Sequence, residues 1–239
     1  MESKYRKLSQ DKLRAKYHCY GHFYTLRVNK NNLIHCRSVL EIVEVDSNLD
    51  NEINPTNSKP DAITIMMNPG GSEPDLLNVP NYIETIIDDN IFDLDFINKT
   101  LVRAIPDATQ DRIMNIMNVK GWKHVRVLNL SDVREKKSTY LKDHIIKFEA
   151  ALDSSIHSIF SAKRKNEREL ALCTKDMPLI IFGWGTEYYL ENIAEYAFKY
   201  IKMHDNIKFV GIKQERYNFY HPGRRKNWHD DILDQISSL

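Results

Sequence analysis

Four short clusters in this sequence hold the side chains best suited to chemistry: Asn68-Pro69-Gly70-Gly71, Asn129-Leu130-Ser131-Asp132, Gly183-Trp184-Gly185 and His221-Pro222-Gly223. The amide of Asn129 offers a donor and an acceptor side by side, which matches the Watson–Crick edge of a pyrimidine. Gly70 and Gly71 would let backbone N–H groups approach a base or phosphate without interference from a Cβ. His221 can donate a hydrogen bond to a carbonyl oxygen whether neutral or charged. Trp184, Phe219 and Tyr220 offer rings on which a base could stack, and Arg224, Arg225 and Lys226 could neutralise phosphates. Plainer roles suit the same residues. Asn-Pro-Gly is a common turn, Asn129 could cap a loop, Trp184 could be core, and the basic run could be a solvated turn.

The segment from Cys19 to Cys36 holds zinc-ligand types, Cys19-x2-His22 followed by His35-Cys36. Adjacent residues on a strand face opposite sides of the sheet, which argues against a shared metal, and we expect none. The sequence carries no Gly-x-x-x-x-Gly-Lys phosphate loop, Gly-x-Ser-x-Gly elbow or His-Glu-x-x-His motif.

The four clusters follow short apolar runs. Ala62–Met67, "HVRVLNL", "PLIIFGWG" and "IKFVGI" read as strands buried on both faces. Helical patterns separate them: 107–121 with Asp107 or Thr109 as cap and Gly121 at the end, one from Ser138 with a stripe from Leu141 to Ile159, one over 187–202 and one near 227–238. Alternating strands and helices predict parallel βαβ units and a three-layer α/β/α sandwich with a short parallel central sheet. In such sheets ligands bind outside the carboxyl ends of the strands, where the four clusters would converge. Ahead of this lies an N-terminal extension, 1–58, read as a weak helix over 9–17 and a β-hairpin turning at 29–32. Residues 46–61 read as a loop, and the acidic stretch 77–105, of mixed helical character, as an insertion in an otherwise single domain.

With 239 residues, 42% hydrophobic and 10% aromatic, the chain can bury a sizeable core and is not of disordered composition. No run approaches the ~18 apolar residues of a membrane span, and the basic start lacks the apolar region of a signal peptide. Three scattered cysteines do not make a disulfide framework, so a reducing cytoplasm is expected. Net charge is only +1, yet residues 1–40 hold nine basic against two acidic residues and residues 41–95 thirteen acidic against Lys59 alone. Such polarity could set a basic face against an acidic one, or reflect solvated surfaces only.

The order of these motifs resembles an uncharacterised bacterial and phage domain family built around "MLNPSTAD", a strand ending in "NL", a "WG" and a late "HP". More distantly it resembles the uracil-DNA glycosylase superfamily. Met66-Met67-Asn68-Pro69-Gly70 stands where the mismatch-specific branch has Gly-Ile-Asn-Pro-Gly, and His221-Pro222-Gly223-Arg224-Arg225 where it has His-Pro-Ser-Pro-Leu. The resemblance implies a glycosylase-like fold and cleavage of an N-glycosidic bond, which needs a positioned water and a stabiliser for the departing base. It assigns the water to Asn68, the leaving base to His221, the base edge to Asn129 and the place of an apolar wedge beside the flipped nucleotide to Arg225. Met66, Gly223 and Arg225 depart from the pattern, and no aspartate occupies the water-activating place, though Asp132 and Glu73 lie near in sequence. Three cysteines exclude the four-cysteine iron–sulfur cluster of some branches.

The expectation is therefore a protein that recognises a modified or mismatched base in DNA and cleaves it off, without a cofactor. Two alternatives stay open: a binding module for DNA or nucleotide that lacks the chemistry, and a hydrolase or transferase acting on free nucleotides. Sequence does not fix the oligomeric state.

Overall fold

The computed structural model describes residues 3–30, 32–45, 59–88, 100–173 and 178–239. In chain order the elements are α1 (Gln10–Lys16), β1 (Tyr17–Asn29), β2 (Asn32–Glu44), β3 (Ala62–Met66), β4 (Glu73–Pro74), β5 (Thr85–Asp88), β6 (Val102–Ile105), α2 (Ala108–Lys120), β7 (His124–Asn129), α3 (Ser138–Leu152), α4 (Lys165–Ala171), β8 (Leu179–Gly183), α5 (Glu191–Lys202), β9 (Phe209–Gly211) and α6 (Trp228–Ser237). Short 3-10 turns lie at Ala162–Arg164, Tyr188–Leu190 and Pro222–Arg224.

The protein is a mixed α/β structure around one sheet of nine strands among the described residues, ordered β4-β6-β1-β2-β7-β3-β8-β9, with β5 beside β1. β7, β3, β8 and β9 run parallel, as the apolar runs predict. The sheet does not stop there. β2 joins β7 antiparallel through Leu40–Val43, so the N-terminal hairpin continues the same sheet. The alternating pattern read from residues 33–45 suggests one solvated face, yet β2 is buried without a break from Cys36 to Val43. Pairing on both sides and apolar cover on both faces removed the distinction. The sheet is thus predominantly antiparallel with a parallel portion, rather than a short parallel sheet.

A bulge in the hairpin decides which face Arg37 shares. His22 pairs with Val39 and Phe23 with Arg37, leaving Ser38 as the extra residue. An extra residue reverses which face each subsequent side chain meets. Leu40 and Ile42 therefore share a face with Arg37, across from Cys36 and Val39.

Among the described residues, buried apolar side chains form two clusters. One gathers Ile63 and Ile65 with residues of α3 and α5, such as Phe148 and Ala197. The other gathers Ala62 and Met66 with residues of α2 and α6, such as Met114 and Trp228. Successive residues of β3 face opposite ways, so the clusters lie on opposite faces of the strand.

Local signals set the helix ends. At α2, Asp107 accepts from the backbone of Thr109 and Gln110 while the Gln110 side chain accepts from Asp107 N, a reciprocal capping box. Gly121 closes the helix in the left-handed region at φ 68°. α3 stops at Leu152 rather than running to Ile159, because Asp153 turns left-handed and serines come next. Ile156 and Ile159 still join the same core from turns. α4 was not expected. The described part of 77–105 forms β5 and β6 rather than helix; residues 89–99 lie outside the described residues, as does most of the expected loop at 46–61.

Candidate functional site

A cavity of about 550 Å³ opens where the parallel strands end. Strand register explains the convergence: Met66 is level with Asn129 on one side and with Gly183 on the other. Beyond β8, a bridge between Gly185 and Phe219 brings the segment leading to His221 alongside. The cavity wall accordingly includes Asn68, Gly70, Gly71, Asn129, Trp184, Tyr220, His221 and Arg224. Arg37 of β2, Asp107 and Gln110 at the start of α2, and Glu135 and Lys136 complete much of the rest.

The Asn68 turn is shaped by its neighbours. Leu130 N donates to Met66 O (2.8 Å) and Ser131 N to Met67 O (3.0 Å), which carries β3 and β7 into the turn together. The Asn68 Nδ2 then donates to Glu135 O (2.7 Å) and Val133 O (3.2 Å). Its amide N–H groups thus fasten the loop after β7, leaving the side-chain oxygen as the group able to meet a ligand. Gly70 sits at φ 61°, where a side chain would be strained. At Gly71 the need is space: a Cβ would lie 1.8 Å from Lys136 Cε, so the lysine chain crosses directly over this backbone.

His221 has a defined tautomer. Its Nδ1 accepts from Gly223 N (3.0 Å), which puts the proton of the neutral ring on Nε2. Burial pushes its pKa down to about 4; nearby Asp107 opposes this, while Arg112 and Arg224 reinforce it. The ring is therefore a neutral Nε2–H donor throughout the physiological range. Arg112 of α2 donates to Pro222 O and ties this turn to the helix.

Asp107 lies across the same cavity. Its Oδ1 caps α2 by accepting from Thr109 N (2.6 Å) and Gln110 N (3.3 Å). Its Oδ2 turns toward the Gly70 side, 3.6 Å from where a Cβ on that glycine would stand. One oxygen is structural and the other faces the cavity.

Arg37 is 1% exposed. Its Nε and Nη1 have no hydrogen-bond partner among the described residues. With the Asn129 amide oriented as its surroundings require, Asn129 Oδ1 accepts from Arg37 Nη2 (3.3 Å) and Asn129 Nδ2 donates to Asn68 O (3.2 Å). Burial lowers the Arg37 pKa to about 10, so the guanidinium stays charged at neutral pH.

The other expected site residues divide. Trp184 touches the cavity, but its ring packs 4.7 Å from Phe182 and 5.2 Å from Phe219, and its indole N–H donates to Tyr217 O (2.9 Å). Phe219 is likewise core. Tyr220 lines the cavity and lies under the Arg225 guanidinium, 5.4 Å from the ring centroid. Arg224 reaches the rim, whereas Arg225 pairs with Asp231 (2.7 Å) and, like Lys226, is absent from the lining. Asp132 is buried and engaged by Arg164 (2.7 Å) and the Tyr24 hydroxyl (3.1 Å), away from the lining; Glu73 is exposed on β4. In the hairpin, Cys19 and Cys36 belong to opposite clusters, so the zinc-ligand types are split between the two faces of the sheet.

Sequence did not single out two residues of this wall as chemical. Asp107 was legible only as a helix cap, and its free oxygen depends on the α2–β3 approach. Arg37 lies in a strand whose parity is reset by the bulge at Ser38. A basic residue inside an apolar strand was the available signal.

Residues 100–222 match the family described as "Protein of unknown function (DUF1643)". The match spans more than half of the chain, which belongs to that family. No curated protein and no solved structure matches it.

Proposed function

We propose that this family member binds a nucleotide in the cavity and hydrolyses its N-glycosidic bond. The observation that carries this reading is the pairing of a carboxylate oxygen, Asp107 Oδ2, with a neutral imidazole donor, His221 Nε2–H, on the wall of one cavity at the ends of parallel strands. Breaking the bond leaves positive charge on the sugar and negative charge on the departing base. Asp107 supplies the first with a counter-charge and orients the attacking water. As the C1′–N bond breaks, its electron pair leaves with the base and water oxygen bonds to C1′. The water's proton passes to Asp107 and then to the base. His221 donates from Nε2 to a base oxygen as charge develops there, at no cost in prior deprotonation.

Asn68 contributes its side-chain oxygen to water placement, a narrower role than its residue type alone suggests. Asn129 has one donor and one acceptor position left after its bonds to Asn68 O and Arg37, so its part in reading a base is secondary. The same proposal extends to fold. The parallel strands, with α3 and α5 contributing to one cluster and α2 and α6 to the other, would be the three layers of a glycosylase-like domain to which the hairpin side of the sheet is added.

A free nucleotide fits this cavity better than a DNA strand does. Of the basic run proposed to hold DNA, only Arg224 lines the cavity, and Arg225 is already paired. The test is incubation of the protein with a panel of nucleoside monophosphates and, separately, of oligonucleotides bearing varied base lesions, with free base measured by chromatography. Base release from monophosphates supports the proposal. Release from oligonucleotides alone would return the substrate to DNA, and release from neither would remove the hydrolytic step.

A further inference from the structure

The buried guanidinium of Arg37 has no evident reason to exist in the protein alone. Its Nε and Nη1 lack partners among the described residues, and its one bond is to a neutral amide. The carboxylates that act on it electrostatically are Asp107 and Asp132, with Arg134 opposing them. Neither forms an ion pair with it among the described residues: Asp132 is held by Arg164 and Tyr24, and Asp107 caps α2 through Oδ1 while its Oδ2 turns toward Gly70, so the guanidinium feels their charge without being contacted by it. A desolvated formal charge calls for a formal counter-charge, which a neutral base or sugar cannot supply.

We propose that Arg37 seats the phosphate monoester of a free nucleotide at the inner wall of the cavity, making the ligand a mononucleotide rather than an internal residue of a strand. The identity of the ligand rests on the nucleotide reading of the proposed function, but the demand for an anion does not. Lys136, crossing Gly71 on the same wall, supplies a second cation. Lys136 replaces glycine's missing side chain as the surface met there, and its ammonium can follow the ligand because the chain is flexible.

Depth selects the monoester. At 1% exposure, Arg37 can be met only by the end of a ligand. An internal diester would have to bring chain on both sides of its phosphate into about 550 Å³, a volume suited to one small ligand. A terminal phosphate meets the guanidinium with free oxygens, and charge-assisted bonds of this kind are the strong ones.

Calorimetric titration tests the assignment with inorganic phosphate, a nucleoside, its 5′-monophosphate and a dinucleoside monophosphate whose single phosphate is a diester. Wild-type protein is expected to bind the monophosphate at least ~30-fold more tightly than the nucleoside or the diester. Arg37→Met should erase that preference, and Arg37→Lys, which keeps the charge without the fork, should retain part of it. Circular dichroism establishes that each variant is folded. Equal binding of nucleoside and monophosphate by wild type, or an undiminished preference in folded Arg37→Met, overturns the proposal. The two readings separate cleanly. Base release from nucleosides and monophosphates alike would keep the hydrolytic function and sink the phosphate seat. Phosphate binding through Arg37 with no base release from any compound would do the reverse.

Discussion

Replacing Arg37 by methionine should make the protein without ligand more stable, an unusual outcome for a core substitution. The guanidinium is 1% exposed, and burial lowers its pKa to about 10. Each unit of such a depression corresponds to about 1.4 kcal/mol, so the buried charge destabilises the folded state by about 3 kcal/mol at neutral pH. Methionine is unbranched, of related length, and adapts to irregular space. It removes that penalty but leaves the Asn129 oxygen short of one donor, at about 1 kcal/mol, and loses some packing of the arginine stem beside Gly21. The expected net gain is about 1–2 kcal/mol. In a chain of this size that raises the melting temperature by roughly 2–8 °C. Thermal and urea denaturation of both proteins in phosphate-free buffer measure it. A loss of 2 kcal/mol or more in Arg37→Met, with an unchanged urea slope, would show that the guanidinium is compensated in the folded protein and that no anion is required.

The same geometry sets further outcomes. Asp107→Asn should retain helix capping, since asparagine caps as well as aspartate, while base release falls by about 10²–10⁴-fold; Asp107→Ala should also lose about 1 kcal/mol of stability. His221, with its folded pKa near 4 below the ordinary 6.5, contributes stability that is complete above about 6.5 and is lost as pH falls toward 4. Allowing for partial exposure, that loss is about 1–2 kcal/mol, and nuclear magnetic resonance titration should place the ring's midpoint near 4 with the Nε2 proton present above it. A midpoint near 6.5 would contradict the neutral-donor role. Gly70→Ala, forced to φ 61°, should lose about 1–2 kcal/mol in denaturant unfolding, and an unaltered midpoint would mean the turn relaxes freely.

Much of the fold could be read from periodicity. Runs such as Ala62–Met66 and Leu179–Gly183 are apolar because both faces of a central parallel strand are covered, and composition reports that directly. The hairpin was visible as two strands but not as part of the main sheet, because which strand pairs with β7 is decided by tertiary contact and leaves no local mark. β5 and β6 were hidden for the same reason: four-residue segments in an acidic stretch carry too little pattern. Within the site, the strand-end clusters were legible because glycine and proline mark places where regular backbone must stop. The roles within them were less so. Asn68 and Asn129 were read as ligand contacts, yet much of their capacity goes to fixing each other's loops. Arg37 joins the cavity through a one-residue bulge, and no spacing rule anticipates where a strand slips.

Whether Asp107 and His221 act together on an N-glycosidic bond is read from base release from nucleoside monophosphates by wild type, Asp107→Asn and His221→Ala under identical conditions. The wild type should release base and sugar phosphate in equal amounts. Each variant should lose about 10²-fold or more of that rate, without loss of monophosphate binding in Asp107→Asn. Release that persists undiminished in both folded variants, or monophosphate that binds tightly to the wild type and is never cleaved, would contradict their joint action.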